Sequence, residues 1–494
     1  MASKKKVKTL DELLEEALVP KDKQPHEIPE HWIWTNIGNI VSSMENRKPK
    51  DIDGEMFHYI DVDAIDNKNQ TLAKYKELEI SNAPSRAQRK VSENDVLISL
   101  VRPYLKNIAL IDFEDRKLVA SSAFYVCSTK NKVEPKYLYY YLMSPIATKY
   151  LNEHTKGDNS PSVRSTDFEK LPIPLPNKVK QIEIAKLISK AFSKIEKSQQ
   201  LIEEAKVTFE LRRAAILDRA FNGELTSSWR KNNLYYAQKE FEQFHSERKL
   251  QVGSKQELKK YSFSNYSIEN DLKSNGEFPD NWIELPVGFI CECIVPGRDK
   301  PKSFSGDIPW VTIPDIISET VYTSKSGLGL TEAEIKQVKA KVIPYNSVIM
   351  TCVGRFGISA VVQNPVVINQ QLHAFLPNKI IDPKFLMYQI RTLEKYMQGI
   401  ATSTTIAYLN KKNANSLPIK LPPIEEQKEI VIHLEKLLEK EESIFKILPS
   451  KNDLEELKQS ILSKAFKGEL GTKDSKDKPA MELLKSILQE KLYF

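Results

Sequence analysis

Glycine is scarce in this chain, 16 residues in 494, and the cradles that bring a backbone close to a nucleotide's phosphates depend on it. Neither G-x-x-x-x-G-K-[ST] nor G-x-G-x-x-G occurs, which disfavours ATP or dinucleotide chemistry. The N-P-P-[FY] tetrapeptide of adenine methyltransferases is missing as well. Four cysteines, Cys127, Cys291, Cys293 and Cys352, cannot form a disulfide framework in so long a chain and fit a reducing cytoplasm. Cys291 and Cys293 lie close together, yet no second Cys or His cluster completes a metal's ligand set. The seven histidines are scattered, with no His-x-x-x-His pair and no obvious base for a Ser or Cys nucleophile. Long apolar runs are lacking too: MASKKKVKTLDELLEEAL carries none behind its lysines, so neither a secretory signal nor a membrane span is expected.

Charge is nearly balanced. Lys and Arg number 73 against 66 Asp and Glu, a net +7, which permits a polyanionic partner without requiring one. One catalytic look-alike exists. Pro314 and Asp315, followed by Glu334, Ile335 and Lys336, match the spacing of a PD-x-ExK nuclease, in which two carboxylates and a lysine position Mg²⁺ and a water. TEAEIKQVKAK, however, reads as a solvated helix rather than the strand such a pair normally occupies. No catalytic residue, metal site or resident cofactor is assigned to this chain.

Repetition decides the architecture. AILDRAFNGEL (215–225) returns as SILSKAFKGEL (460–470), IPEHWIWTNIGNI (28–40) as FPDNWIELPVGFI (278–290), and EPKYLYYYL (134–142) as DPKFLMYQI (382–390). DVLISLVRPYLKNIALI (95–111) loosely parallels SVIMTCVGRFGISAVV (347–362), and LPIPLP (171–176) matches LPIKLP (417–422). Five segments in one order imply duplicated modules. Each half opens with short β-rich runs, MFHYIDV, DVLISLV, NIALI and AFYVCST in the first, PWVTI, SVIMTCV, ISAVV and LHAFL in the second. A helix is expected near 135–152 and near 383–398. The fold class is α/β, mixed α+β.

A long helix follows each globule. Between Lys178 and Phe221 there is no Pro or Gly, and Ile188, Ile195, Ile202, Phe209 and Ile216 recur every seventh residue. Ala191, Ser198 and Ala205 form a second, small-residue stripe, as in a coiled-coil seam. Such a rod spans roughly 65 Å at about 1.5 Å per residue. In the second copy Val431, Leu438 and Phe445 repeat the pattern, Pro449 interrupts it, and a restart at Asn452 is expected. Both helices should stop at a capping glycine, Gly223 or Gly468. The joint between halves reads as a polar linker with one short aromatic helix, LYYAQKEFEQF, docked on something. DELLEEAL (11–18) and MELLKSIL (481–488) share a Glu-Leu-Leu core, so the repeat is nearly circular and pseudo-twofold. The expected divisions are a leader helix 1–24, a globule 25–176, a helix 177–225, a linker 226–276, a second globule 277–422, a second helix 423–470 and a tail helix 471–494.

These features, in this order across residues 10–490, resemble the DNA specificity subunit of Type I restriction and modification enzymes. LLEEALVP, IPEHWIW with FPDNWIEL, LPIKLPPIEEQKEI, and the endings AFNGEL and AFKGEL carry the resemblance. One departure is LPNKVKQIEI in the first copy against LPPIEEQKEI in the second, where the helix start is degraded and the two starts need not pack alike. The resemblance implies two target recognition domains, each reading half of a split duplex sequence, spaced by two antiparallel helices. It also implies two modification subunits that methylate adenine with S-adenosylmethionine, and restriction subunits that use ATP and Mg²⁺. Alternatives are a coiled-coil scaffold without DNA affinity and, less favoured, a nuclease using Asp315, Glu334 and Lys336. If the rod sets the spacing, half-sites lie under two DNA turns apart, at roughly 34–36 Å per turn.

Phosphates are contacted by Lys, Arg and small hydroxyls, whereas base edges need Arg, Lys, Asn or Gln held firmly. The candidates in the first globule are Arg102, Tyr104, Lys106 and Asn107 in SLVRPYLKN, Arg47, Lys48 and Lys50 in MENRKPKD, and Arg164 and Ser165 in TKGDNSPSVRST. In the second they are Thr351 and Arg355 in TCVGRFG, Arg298, Lys300 and Lys302 in PGRDKPKS, Gln370, and Thr402 and Ser403 in ATSTT. Closing a turn or carrying solvated charge is the alternative for each. Trp32 and Trp282 read as core.

Overall fold

The computed structural model describes residues 9–159, 161–251, 278–297, 299–402, 406–471 and 480–493. The chain forms two compact units, Met1–Ile202 with Pro449–Phe494, and Glu203–Leu448. They part inside one uninterrupted helix, Lys178–Phe221, whose first turns belong to one unit and last turns to the other.

The repeated motifs prove to be partners of one another. In the first unit the tryptophan motif supplies the strand Ile33–Asn36, which runs antiparallel to Pro172–Leu175 of the LPIPLP motif, Ile33 opposite Leu175. In the second, Ile283–Pro286 pairs with Pro418–Leu421, Ile283 opposite Leu421. Two-stranded ribbons tolerate prolines that a central strand would reject. Behind the ribbon lies a mostly antiparallel sheet. Phe124–Cys127, Val96–Ser99 and Ile108–Leu110 lie side by side in the first unit, with a second sheet of Lys76–Glu79, Met56–Ile60, Leu118–Ser121 and Ala87–Lys90. In the second unit Leu372–Phe375, Val348–Thr351 and Ser359–Val362 repeat the central trio within five strands. The helices Pro135–Leu142 and Pro383–Thr392 cover these trios, burying Tyr137 and Tyr141, or Phe385 and Ile390. Trp32 and Trp282 are core residues, as their sequence context indicates.

The two helix starts pack alike despite their different sequences. A fully buried glutamine stands at the same place in each, Gln181 and Gln427. Gln181 accepts from the Glu134 amide at 2.9 Å and donates to the Pro176 carbonyl at 2.8 Å. Gln427 accepts from the Asp382 amide and donates to the Pro422 carbonyl, both at 2.8 Å. The residue before each glutamine differs in sign. Lys180 is buried and bonds Glu183 at 2.9 Å, whereas Glu426 is buried and accepts from Thr226, Arg230 and Asn281.

The helical seam is real, with one change. Ile188, Ile195 and Phe209 are buried, but the second stripe is not the small residues. Ser198 is exposed and bonds its own helix at the Lys194 carbonyl. Phe192, four positions after Ile188, is buried instead and meets Tyr140 and Lys458. An i, i+4 spacing keeps side chains on one face as well as i, i+3 does, and the larger residue buries more area. Each unit holds an antiparallel helix pair. In the first, Lys451–Phe466 lies against the start of the long helix, with Lys458 over Phe192 and Leu462 and Phe466 beside Ile184 and Ile188. In the second, Ile424–Lys446 lies against its end, with Phe445 on Phe209 and Glu441 bonding Arg212 at 2.9 Å. The chain breaks between these two helices at Pro449, and the restart is at Lys451, capped by Ser450.

The linker's aromatic helix, Ala237–Gln251, docks in the second unit, where Phe241 and Phe244 join Trp282 in the core. Its counterpart in the first unit is the tail, Ala480–Tyr493, whose Leu484 and Ile487 join Trp32. Both begin identically: the Ala237 amide donates to the Asn281 carbonyl at 3.1 Å, and the Ala480 amide to the His31 carbonyl at 3.2 Å. The leader helix Leu10–Ala17, capped by Thr9, lies against the tail helix.

Each AFxGEL ending closes with a left-handed glycine. Gly223 has φ +78° and Gly468 φ +74°, and paired bonds cap the last turns, Glu224 to Arg219 at 3.0 Å and Glu469 to Lys464 at 2.9 Å. A Cβ on either would sit 2.5 Å from a proline ring, Pro279 or Pro29, the residue three before each core tryptophan. Gly468→Ala therefore combines a disfavoured backbone with a clash. We expect it to destabilise the first unit by about 2 kcal/mol or more, read as a lowered thermal transition.

Candidate nucleic-acid interface

Strand Val96–Ser99 delivers the Arg102–Lys106 turn to the unit's surface, and the strand's own chemistry shapes that turn. Ser99 donates its hydroxyl to the Val101 carbonyl at 3.0 Å. Arg102 and Lys106, at φ +50° and +52°, flank a single tight turn over Pro103–Leu105. Left-handed backbone is uncommon for such residues and marks a constrained loop. The constraint comes from the 156–163 segment: the Arg102 amide donates to the Pro161 carbonyl at 2.7 Å and the Val163 amide to the Leu100 carbonyl at 2.9 Å. Arg102 and Arg164, both exposed, and Tyr104, 53% exposed, thereby share one rim, with Ser165 half-buried at the start of a short helix.

Two residues of that loop do other work. Asn107 is only 6% exposed and lies under the turn, so it is withdrawn from the rim. Lys106 is half-buried; burial lowers its pKa, opposed by the Glu455 carboxylate on the neighbouring helix, towards which its charge is drawn. Arg47, Lys48 and Lys50 belong to a different place, beside the Ala87–Lys90 strand. The Arg47 guanidinium donates to the Arg116 carbonyl at 2.7 Å, while Lys48 and Lys50 are exposed.

The second unit builds its rim with the same bonds. The Gly354 amide donates to the Ala407 carbonyl at 3.3 Å and the Leu409 amide to the Cys352 carbonyl at 2.8 Å. The Cys352 amide in turn donates to the Gln371 carbonyl at 2.9 Å. Arg355, Gln370 and Thr402 are exposed around this hub. Thr351 is not: it is fully buried, and its hydroxyl closes the turn on the Arg355 carbonyl at 2.7 Å, the role Ser99 plays in the first unit. A hydroxyl on a buried strand end satisfies backbone more readily than it reaches solvent. Lys300 and Lys302 are exposed on the loop that follows the tryptophan motif. Arg298 and Ser403 lie outside the described residues.

Beside this rim is a feature that sequence reading missed. A cavity of about 130 Å³ is lined by Cys293–Gly297, Lys339, Ala340, Lys341, Ile368 and Lys411. The three lysines come from two separate segments and signal nothing individually. Behind it His373 is fully buried, edge-on to Tyr408, with neither ring nitrogen bonded. Burial, and then the Lys411 charge, lower its pKa to about 4. The Cys293 thiol is pushed up to about 12, chiefly by burial.

The nuclease look-alike dissolves into loop closure. Asp315 accepts from the Thr312 amide and hydroxyl and from the Lys325 amide. Glu334 lies on the helix Glu332–Gln337, accepts from Ser303, Ser305 and Thr331, and is held at a pKa of about 2 by those bonds, Ser303 foremost. Among the described residues no group of three or more His, Cys, Asp or Glu is placed to hold a metal, and no helix is long and apolar enough to cross a membrane.

This geometry can be set beside known proteins. The profile of the family described as Type I restriction modification DNA specificity domain matches twice, over residues 29–207 and 279–448. The chain belongs to that family. A specificity subunit of the Type I enzyme HindI from Haemophilus influenzae is 22% identical over 80% of this chain and 92% of its own. The MjaVIII specificity subunit of Methanocaldococcus jannaschii is 23% identical over 90% of this chain and 95% of its own. The MjaIX subunit of that organism matches locally at 26%, over 31% of this chain and 37% of that one. The fold is that of the HsdS subunit from Thermoanaerobacter tengcongensis, with a TM-score of 0.59 at 22% identity, covering 91% of this chain and all of that one. A chain solved in work on complex assembly and conformational transition of the type I R-M system gives 0.67, also at 22%, covering 90% of this chain and all of that one.

His373 yields a prediction. Folded, it protonates near 4; unfolded, near its ordinary 6.5. Between those values the unfolded chain holds the extra proton, so stability is full above pH 6.5 and is lost as pH falls towards 4. The slope approaches about 1.4 kcal/mol per pH unit. In denaturant titrations at pH 7 and pH 5, His373→Leu should flatten that decline.

Proposed function

We propose that this chain is the sequence-reading subunit of a Type I restriction and modification complex, each unit reading one half of a split duplex target. The carrying observation is the duplicated rim: Arg102, Tyr104 and Arg164 in one unit, Arg355, Gln370 and Thr402 in the other, held by the same pair of backbone bonds. Strand-anchored loops position guanidinium and amide groups firmly enough to discriminate base edges, while exposed lysines such as Lys48, Lys50, Lys300 and Lys302 hold phosphates. Catalysis then belongs to partners: two modification subunits methylating adenine with S-adenosylmethionine, and restriction subunits using ATP and Mg²⁺. The chain supplies address rather than chemistry and works in the cytoplasm. Family membership and the capture of Asp315 and Glu334 in loop closure support this division.

The test is a map of methylated adenines in genomic DNA treated with the purified chain and its modification subunit. A split motif with a constant gap is expected, and a contiguous motif contradicts the reading. Exchanging residues 25–176 for a relative's should change one half-motif and spare the other. Arg355→Ala should relax or weaken recognition of the second half alone, by about 1–3 kcal/mol.

A further inference from the structure

We propose that the lysine-lined cavity of the second unit is a seat for a DNA backbone phosphate, a grip that the first unit lacks; this rests on the sequence-reading function above. The cavity's volume, about 130 Å³, is many times the roughly 10–15 Å³ that admits one water, so a phosphate group with attendant waters fits. Lys339, Lys341 and Lys411 line it. Among the described residues Lys339 and Lys411 form no ion pair, and Lys341 has only Glu292 at 4.0 Å, both side chains well exposed. Cys293 keeps its proton and His373 is neutral at pH 7. Three lysines lining one recess concentrate positive charge there, and an anion from outside offsets it.

Its position ties it to the rim. Lys411 follows Leu409, whose amide bonds Cys352, and so continues the segment that carries Thr402. Val295–Gly297 on the opposite wall lead into the loop of Lys300 and Lys302. A duplex whose bases meet Arg355 and Thr402 brings its backbone past this recess. The corresponding place in the first unit, lined by Ser42–Glu45, Lys90, Asp95 and Ser128, is only about 40 Å³, and its lysine is already taken: Lys90 bonds Glu45 at 2.6 Å.

The experiment compares the full-length chain with K339N/K341Q/K411Q, assembled with its modification subunit, for binding a fluorescent mixed-sequence duplex between 50 and 200 mM salt. Asn is used at Lys339 because that residue sits at φ +50°. Each lost phosphate contact lowers the slope of log K against log salt by about 0.9. With one phosphate seated, we expect a fall of about 1 in slope and a weakening of roughly tenfold, with the methylated sequence unchanged. K341R/K411R, which keeps the charge, should hold the wild-type slope. An unchanged slope in a variant that melts like the wild type overturns the proposal while leaving the sequence-reading function standing. A wild-type complex with no salt dependence overturns both. Should the triple variant not fold, Lys411→Gln alone must lower the slope measurably, and no change overturns the assignment. Inorganic phosphate binding lost in the variant with duplex affinity intact assigns the recess to a free anion, and likewise overturns it.

Discussion

Everything in each unit hangs on a short two-stranded ribbon. The strand after the core tryptophan and the proline-bounded strand before the long helix are far apart in sequence, and their pairing brings the beginning and end of a globule to one point. The chain then turns directly into a helix whose buried glutamine, Gln181 or Gln427, bonds back to the residue just after that ribbon and to the residue opening the covering helix. One amide group thus fixes three elements. A buried amide left with half its partners costs more than the bonds contribute, so the joint tolerates little movement. The glycine cap under Pro29 or Pro279 closes the same joint from the other side.

On this frame the surface loops need little of their own stability. The rim loops are short, and each is tied at two backbone bonds to a neighbouring loop rather than to the core alone. Side chains at their tips gain orientation from backbone geometry. A net charge of only +7 over the whole chain means that affinity for a polyanion must come from local concentration of cations. The lysines lining the second unit's recess are such a concentration, whereas Lys90 at the corresponding place in the first is paired with Glu45.

The repeats, the long helix, the break at Pro449 and the capping glycines were legible because each is a local signal: periodicity, a missing donor, a positive φ. What escaped was whatever depends on tertiary placement. Phe192 displaced the small-residue stripe because burial on a helix face is set by its neighbours, here Tyr140 and Lys458. Thr351 and Asn107 look like rim residues in sequence and are buried, since one residue's shift along a strand decides inside from outside. Lys339, Lys341 and Lys411 are unremarkable in VKAKV and NKKN and meaningful only where the fold assembles them. The docking of the 237–251 helix was readable as aromatic, while its counterpart at 480–493 became evident through the identical bond each makes before its tryptophan.

The position just before the clamp glutamine, cationic at Lys180 and anionic at Glu426, bears on how the two halves have aged since duplication. Each has its own counter-ion, Glu183 or Arg230, so the two helix starts are not interchangeable. Recombination that carried the segment around Glu426 into the first half would part that buried carboxylate from Thr226, Arg230 and Asn281, whereas Lys180 would travel with Glu183, three residues on. The feet of the two helices thus carry a lock that distinguishes first from second.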